Sequence, residues 1–289
     1  PECVMTGRWS ATVARVPMVC ALINHPKHGL MLFDVGYSNN FFKASRHFPQ
    51  IIYRWTTPVK IEKTLKEQLV ADGVDPKSIA YIFISHFHAD HVAALDDFPN
   101  ATVICDRGGY EYAKKLRGFA AVKKGILPDL IQLFQGRRLQ FIDDKKQNSD
   151  HKNLSEFISR DIFGDGSLLA VGLPGHARGQ QGLYINDSKR GKVFLIADAT
   201  WYMQSIIDGH PALPIVALTH DNQNKYLHTL HNLHQFYHHN PDIQMIPCHC
   251  PITWAKLSAA QQGAKQSKKM SVNMMVKPRE EKPITARAK

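Results

Sequence analysis

Ser85-His86-Phe87-His88-Ala89-Asp90-His91 is the stretch that decides the fold, because it places three imidazoles and a carboxylate within six residues. The apolar run 79–84 comes directly before it and predicts a buried strand. Alternate side chains of an extended segment point the same way, so His86 and His88 can converge on one ion while Asp90 and His91 face a neighbouring point. Such groups are retained in a protein interior mainly when they are paired or coordinated. The stretch therefore predicts a site for two metal ions at the end of a buried strand.

The composition is that of a globular protein with one large core or two modest ones: 289 residues, 44% hydrophobic and 21% charged. No apolar run approaches the ~20 residues needed to cross a bilayer, and the first residues lack the pattern of a signal peptide. Five cysteines without framework spacing favour a reducing compartment. We therefore expect a cytoplasmic protein with no transmembrane segment.

The net charge of +11 is concentrated near the C-terminus. Residues 265–289 hold eight Lys or Arg against Glu280 and Glu281, so this segment carries +6 of the total. We predict one domain over residues 1–262 and a basic, flexible tail over 263–289, for which contact with a polyanion, a membrane surface or a partner is the alternative. Because the rest of the chain is only weakly basic, no nucleic-acid partner is expected.

Further patterns place the remaining candidate residues at strand ends. Runs 11–23 and 29–35 predict an opening hairpin whose turn exposes His25 and His28. Apolar spacing predicts helices over 59–71 and 221–240. Runs 168–173, 182–185 and 193–197 predict three strands in the second half.

The HxHxDH pattern resembles the signature of the metallo-β-lactamase-fold hydrolases, and further residues match that family in order. They are His176 in Pro174-Gly175-His176, Asp198 in Ala197-Asp198-Ala199, His249 after 244–247, and Asp34 in Phe33-Asp34-Val35-Gly36. The resemblance implies an α/β fold, a four-layer αβ/βα sandwich. It also implies that His86, His88 and His176 hold one zinc ion, that Asp90, His91 and His249 hold the other, that Asp198 bridges both, and that Asp34 supports the ligands from behind. Mn, Fe or Co also suit this mixture of imidazole and carboxylate.

Within this family the chain is most similar to the N-acyl homoserine lactone lactonases. The shared features are Phe87 inside the motif, the segments 126–128 and 175–181, and Asp198-Ala199-Thr200. The resemblance implies a hydrolase in which a hydroxide shared by the two ions attacks the lactone carbonyl, with Asp90, Asp198 and Tyr202 as catalytic residues. One departure concerns the lactone assignment: these lactonases usually carry Tyr three residues after the bridging Asp, where this chain has Trp201, with Tyr202 one residue later.

An aromatic-rich segment over 37–58 lacks helix or strand periodicity and predicts an insertion that folds over the site as a lid. We expect a small-molecule substrate with an apolar tail. The predicted substrate-binding residues are Phe42, Phe48, Trp55, Phe87 and Trp201. Packing of these rings onto the core, or the interface of a homodimer, are the alternatives.

Other functions stay open. A glyoxalase II-like thioesterase has the same ligand set, and a phosphodiesterase would suit the basic charge. Class B β-lactamases are disfavoured because their second site usually lacks the paired Asp90-His91 and the bridging Asp198. A metal-site protein that senses a ligand is the alternative outside enzymology.

Overall fold

The first half of the chain forms a five-stranded sheet in a computed structural model that describes residues 16–147, 154–187, 191–212, 216 and 219–274. The strands lie in sequence order: β1 (Ala21–His25), β2 (Gly29–Phe33), β3 (Ile79–Phe83), β4 (Thr102–Cys105) and β5 (Leu139–Phe141). β1 and β2 form the predicted antiparallel hairpin, and β2 to β5 run parallel. The hairpin strand β1 begins later than the sequence predicts, since residues 16–20 are not in a strand and 11–15 lie outside the described residues.

The second half forms another five-stranded sheet with the order β10-β9-β8-β7-β6. Its strands are β6 (Ser159–Asp161), β7 (Leu168–Gly172), β8 (Gln181–Asp187), β9 (Gly191–Ala197) and β10 (Gln244–Pro247). β7 and β9 each pair antiparallel with β8, while β10 pairs parallel with β9. Consequently β7, β9 and β10 point the same way, and their C-terminal ends meet at one edge.

The described residues also form helices. They are α1 (Asn39–Ala44), α2 (Ile51–Thr56), α3 (Leu65–Ala71), α4 (Ala89–Val92), α5 (Arg107–Lys115), α6 (Gly118–Lys123), α7 (Pro128–Gln132), α8 (Met203–Asp208), α9 (Gln223–His239) and α10 (Pro251–Met274). Short 3₁₀ turns occupy Pro76–Ser78, Leu95–Asp97 and Ile142–Asp144. The helix predicted over 221–240 corresponds to α9.

Both faces of each sheet are buried. Leu32, Ile82 and Val103 face a core shared with the first-half helices. Tyr184 and Phe194 face a second core with α9. Because strand side chains alternate between faces, their buried neighbours, such as Phe83 and Leu195, fill the remaining layer between the sheets. The result is helix, sheet, sheet, helix, which is the expected four-layer αβ/βα sandwich.

Two local predictions differ from the structure. The helix predicted from residue 59 begins only at Leu65, because Thr64 caps it: Thr64 Oγ1 accepts from Glu67 N, and the Glu67 carboxylate accepts from Thr64 N. The predicted lid, whose sequence lacks a helical period, nevertheless contains α1 and α2.

His25 is buried, with 5% of its surface exposed, so the prediction of an exposed turn histidine is wrong. Its Nδ1 accepts from the backbone N–H of Lys27 and of His28, and its Nε2 lies 2.9 Å from Ser167 Oγ. The His28 ring stacks on Phe163 with centroids 3.9 Å apart. These contacts attach the hairpin turn to the loop that precedes β7.

The chain divides into two compact units, Pro1–Pro251 and Ile252–Lys289. The predicted flexible tail begins at residue 263, but α10 continues past this point, and residues 263–274 are helical. Residues 275–289 lie outside the described residues. Among the described helices, none is long and apolar enough to cross a membrane.

Candidate metal centre

The predicted metal ligands follow the C-terminal ends of strands, and Asp90 and His91 lie in the short helix α4 after β3. His86 follows β3, His176 follows β7, Asp198 follows β9 and His249 follows β10. The two sheets are joined at this edge, where Gln181 N donates to the Ser85 carbonyl at 2.9 Å. The topology therefore brings segments distant in sequence to one rim, held by strands whose positions are fixed by their ladders.

The seven predicted ligands form two groups that share one carboxylate. Within each group, one potential ligand atom per residue lies within 4.8 Å of all the others; the groups are His86, His88, His176 and Asp198, and Asp90, His91, Asp198 and His249. In the first group, His176 Nε2 lies 3.0 Å from His88 Nδ1. In the second, His249 Nε2 lies 3.1 Å from Asp90 Oδ2 and 3.2 Å from Asp198 Oδ2. Asp198 thus stands between two clusters of imidazoles.

Buried polar atoms without partners show that these groups fit metal ions. His86 Nε2, His91 Nε2 and Asp198 Oδ1 are inaccessible to solvent and make no hydrogen bond with the described residues. A buried polar atom left unsatisfied costs about 1–3 kcal/mol. Imidazole and carboxylate are ligands that zinc and similar divalent ions accept. The donor set therefore suits one divalent cation in each group.

A chain of hydrogen bonds behind the ligands connects the two groups. Asp34 accepts from Ser85 N through Oδ1 and from Ser85 Oγ through Oδ2, both at 2.8 Å. Asp34 Oδ2 also lies 2.7 Å from His91 Nδ1, and Ser85 Oγ lies 3.1 Å from His86 Nδ1. If the Nδ1 atoms carry the protons, His86 donates to Ser85, Ser85 donates to Asp34, and His91 donates to Asp34. This arrangement leaves Nε2 of both histidines free to bind a cation.

The imidazole of His88 is held from its other side by Lys124 and Gly125. On that side the backbone of Lys124 raises the pKa of His88 and so opposes part of the effect of burial. Gly125 has φ +65°, and a β-carbon there would lie 2.7 Å from His88 Cδ2. The turn after α6 therefore fits against the imidazole only because residue 125 has no side chain.

The loop that carries His176 is fixed to the start of α9. Asp221 N donates to the His176 carbonyl at 2.9 Å, and Asn222 N donates to the Gly175 carbonyl at 3.0 Å. Gly175 has φ +135°, and a β-carbon there would lie 2.2 Å from Tyr226 N. Only glycine permits this close approach of loop and helix.

The electrostatics divide the ligands into two kinds. Burial lowers the pKa of His86 and of His176 well below the ordinary value and lowers the pKa of His88 to about 4, so the three imidazoles of the first group are neutral. Burial also opposes charge on His249, but the carboxylates of Asp198 and Asp90 outweigh it and raise the pKa of His249 to about 10. In the metal-free protein the second group therefore holds protons that a cation must displace.

The two carboxylates stay ionised. Burial favours their neutral forms, yet the imidazoles of His91 and His249 lower the pKa of Asp90 to about 2. His249 and His91 likewise hold the pKa of Asp198 well below its ordinary value. Both residues therefore offer negative charge to cations at neutral pH.

Trp201, and not Tyr202, lies against the shared carboxylate. Trp201 Nε1 donates to Asp198 Oδ2 at 3.0 Å. Tyr202 is buried and precedes α8, where its carbonyl accepts from Ser205 N. The catalytic role of Tyr202 stays a prediction. The side chain that contacts Asp198 from this segment is that of Trp201.

The other predicted substrate residues lie in different surroundings. Phe87 is buried against Tyr110 and Phe134 and also lines a small pocket beside His88 and His176. Phe42 packs against Phe41, with the Arg54 guanidinium over its ring. Phe48 and Trp55 are 70% and 71% exposed, and the Phe48 ring meets Phe119 with centroids 5.3 Å apart. The structure thus brings Phe87 and Trp201 to the candidate centre, while Phe48 and Trp55 form exposed aromatic surface.

Two further clusters of ligand-type side chains are held together by hydrogen bonds and packing. His25, His28 and Asp165 lie close together. However, His25 Nδ1 accepts two backbone N–H groups, so its proton belongs on Nε2, facing Ser167. Cys248 lies near Asp34 and His91, but burial raises the pKa of its thiol well above the ordinary value, and Sγ donates to the Val19 carbonyl. Cys248 is therefore a packed thiol.

Sequence reasoning missed the roles of Ser85, Lys124 and Gly125. Ser85 opens the motif, and a hydroxyl residue directly before His86 at a strand end is a usable signal for a contact with that imidazole. Nothing in the local sequence indicates that Lys124 and Gly125 contact His88, because that contact depends on the tertiary fold.

The fold and the paired ligand groups define a metal-dependent hydrolase. The chain belongs to the metallo-beta-lactamase superfamily, whose family model matches residues 15–236. This finding confirms the predicted family and fold.

Known relatives carry lactonase names. The chain is 33% identical over 187 residues to the N-acyl homoserine lactonase AttM of Azorhizobium caulinodans, a match that covers 64% of this chain and 66% of the relative. It is 28% identical over 250 residues to AttM of Rhizobium radiobacter, covering 85% and 86%.

Among solved structures, a B. thuringiensis AiiA variant with N-decanoyl-L-homoserine bound at its active site superposes with a TM-score of 0.65. The two chains are 17% identical, and the match covers 88% of this chain and 90% of AiiA. The dizinc quorum-quenching lactonase AidC superposes with a TM-score of 0.52 at 16% identity, covering 82% and 73%. These superpositions show a shared fold.

Proposed function

We propose that this hydrolase opens the lactone ring of an N-acyl homoserine lactone, or of a similar lactone, with the help of two divalent metal ions. The observation that carries the proposal is the pair of ligand groups that share Asp198 at the rim of the two sheets. The lactonase names of relatives that align over most of this chain support the choice of substrate.

Seven residues would hold the metal ions, for which zinc is the first choice and Mn, Fe or Co are alternatives. One ion would be held by His86, His88 and His176, the other by Asp90, His91 and His249, and Asp198 would contact both. When bound, such a pair supplies Lewis acidity and lowers the pKa of water toward neutrality. The neutral imidazoles of the first group and the ionised carboxylates of Asp90 and Asp198 suit metal binding, because none of them has to lose a proton first.

Asp90 is the better placed of the two carboxylates to move a proton. Its side chain is 11% exposed, against 4% for Asp198, so water reaches it more readily. In the proposed reaction a water oxygen forms a bond to the lactone carbonyl carbon, and its proton passes to an Asp90 oxygen. The ring carbon–oxygen bond then breaks, Asp90 returns this proton to the leaving oxygen, and a hydroxy acid results.

The pocket beside the first group supports a substrate that is polar at one end and apolar at the other. Phe87 and Ile126 provide apolar walls, while Lys124 and Arg178 carry positive charge. The Arg178 guanidinium is paired with Asp221 and lies over the Tyr112 ring. We assign the polar end of the substrate to this pocket. The apolar tail is assigned to the aromatic segment that carries Phe42, Phe48 and Trp55.

A thioesterase or a phosphodiesterase is the second candidate. The cations Lys124 and Arg178 would suit an anionic substrate. In addition, Trp201 offers its N–H to Asp198 and leaves no hydroxyl at this position for a lactone carbonyl.

The test is hydrolysis of three substrates by the metal-loaded enzyme: a long-chain N-acyl homoserine lactone, a thioester and bis(p-nitrophenyl) phosphate. We expect lactone turnover to exceed the other two by at least about tenfold in kcat/KM, a difference of roughly 1.4 kcal/mol in activation free energy. Asp198→Ala should abolish the activity and lower the metal content together. Preference for the thioester or the phosphodiester would overturn the lactone assignment, and full activity in Asp198→Ala would overturn the metal mechanism.

A further inference from the structure

Trp201 lies between the two ligand groups. Its indole N–H donates to Asp198 Oδ2 at 3.0 Å. The indole ring stands nearly perpendicular to the imidazoles of His176 and His249, with centroid distances of 5.8 and 6.4 Å. His176 belongs to one group and His249 to the other, so this single side chain contacts the shared carboxylate and borders both groups.

The shared carboxylate requires a fixed orientation. Asp198 Oδ2 lies 3.2 Å from His249 Nε2 and 3.5 Å from His176 Nε2, while Oδ1 lies 3.5 Å from His91 Nε2. The terminal torsion of an aspartate is broad, so the carboxylate plane is not set by its rotamer. Rotation of this plane would move an oxygen away from one group or the other. A donor that is not itself a ligand can hold this plane in one orientation.

Among the hydrogen bonds of the described residues, the indole N–H is the one non-histidine donor to Asp198. An indole N–H donates only, and it does not titrate in the range where proteins are folded. The indole also has only two side-chain torsions, so it holds its position at low entropic cost. Trp201 can therefore hold Asp198 in the same way whatever the pH and whatever the substrate.

We propose that Trp201 is a positioning residue that orients Asp198 between the two ligand groups through its indole N–H. It is neither a metal ligand nor an acid–base group, and it acts on the centre through the carboxylate. This inference rests on the ligand role proposed for Asp198 but does not depend on which substrate is hydrolysed.

Zinc binding to Trp201→Phe tests the proposal without any substrate. The variant keeps an apolar ring and removes the donor. Competition with a chromophoric chelator should show affinity for the zinc pair weakened about ten- to hundredfold, as for other residues that hold metal ligands in place. Trp254→Phe, at a tryptophan that is 40% exposed, is the matched control and should bind zinc like the parent protein. Unchanged zinc affinity in Trp201→Phe would overturn the proposal.

A second substitution separates the hydrogen bond from packing and from misfolding. Site-specific replacement of Trp201 by 3-benzothienylalanine keeps the bicyclic shape and exchanges only the N–H for sulfur. It should weaken zinc binding as Trp201→Phe does, while circular dichroism of the metal-free protein stays unchanged. If the benzothienyl protein binds zinc normally, the indole acts by shape alone and the proposal is wrong.

Activity measurements add an independent criterion. With zinc at saturation, loss of carboxylate orientation should lower kcat and leave KM unchanged, whereas loss of a substrate contact should raise KM. A raised KM with unaltered zinc affinity would make Trp201 a substrate contact and not a positioning residue. A parent enzyme inactive on lactones would overturn the proposed function and leave the zinc-binding result to stand by itself.

Discussion

Replacing Ser85 by alanine should weaken the first ligand group more than the second. The Ser85 hydroxyl accepts from His86 Nδ1 and donates to Asp34 Oδ2, at 3.1 and 2.8 Å. In the alanine variant His86 loses this acceptor, whereas His91 keeps its direct 2.7 Å contact with Asp34. The two groups should therefore respond differently to one substitution.

The magnitude follows from the burial of these atoms. Ser85 and His86 are at most 1% exposed, so water cannot easily replace the lost hydroxyl. A buried donor left without an acceptor costs about 1–3 kcal/mol. Since about 1.4 kcal/mol corresponds to a tenfold change in affinity, the first group should bind zinc roughly 5- to 150-fold more weakly. The second group should weaken by less than about tenfold, because it loses one donor to Asp34 and the longer 3.3 Å contact of Ser85 Oγ with His91 Nδ1, while the direct contact of His91 with Asp34 remains.

Chelator competition that resolves two zinc-binding steps is the appropriate assay. Ser85→Thr is the matched control, because it keeps the hydroxyl and should retain most of the affinity. Equal weakening of both steps in Ser85→Ala would contradict the reasoning, and so would no weakening at all.

Three further predictions concern neighbouring positions. Gly125→Ala should weaken zinc binding by the first group, because the new β-carbon meets the His88 ring. For the same reason it should lower the free energy of unfolding by more than the ~1–2 kcal/mol expected from left-handed backbone strain alone. Gly136→Ala is the control in thermal unfolding, because Gly136 has φ +73° and open space around it. Asp34→Asn should weaken zinc binding mainly in the second group, the opposite of Ser85→Ala, because His91 loses a charged acceptor. Chelator competition that resolves the two zinc-binding steps checks this, and a loss of affinity confined to the first group would refute it. Zinc binding at pH 7 should release at least about one proton per chain and tighten as pH rises, because His249, with a pKa of about 10, is protonated in the metal-free protein. Calorimetry in buffers of different ionisation enthalpy measures the number of protons released. A zinc affinity that does not change with pH would contradict this prediction.

The local part of the centre could be predicted from sequence, because a strand followed by alternating ligands is a short-range pattern. His176, Asp198 and His249 are recognisable only through their order in a known family, since their convergence depends on which strands pair. The Asp34 to Ser85 contact spans 51 residues and that of His25 with Ser167 spans 142, so neither leaves a local signal. The helices α1 and α2 are six residues each, too short for an apolar period to emerge.

In the proposed metal centre, seven side chains at one rim hold two metal ions that share Asp198. Anomalous diffraction from crystals of the zinc-loaded protein, recorded on both sides of the zinc absorption edge, tests it most directly. We expect two peaks per chain, one among His86, His88 and His176 and the other among Asp90, His91 and His249, with Asp198 contacting both. A single peak, or two peaks that do not share Asp198, would contradict it.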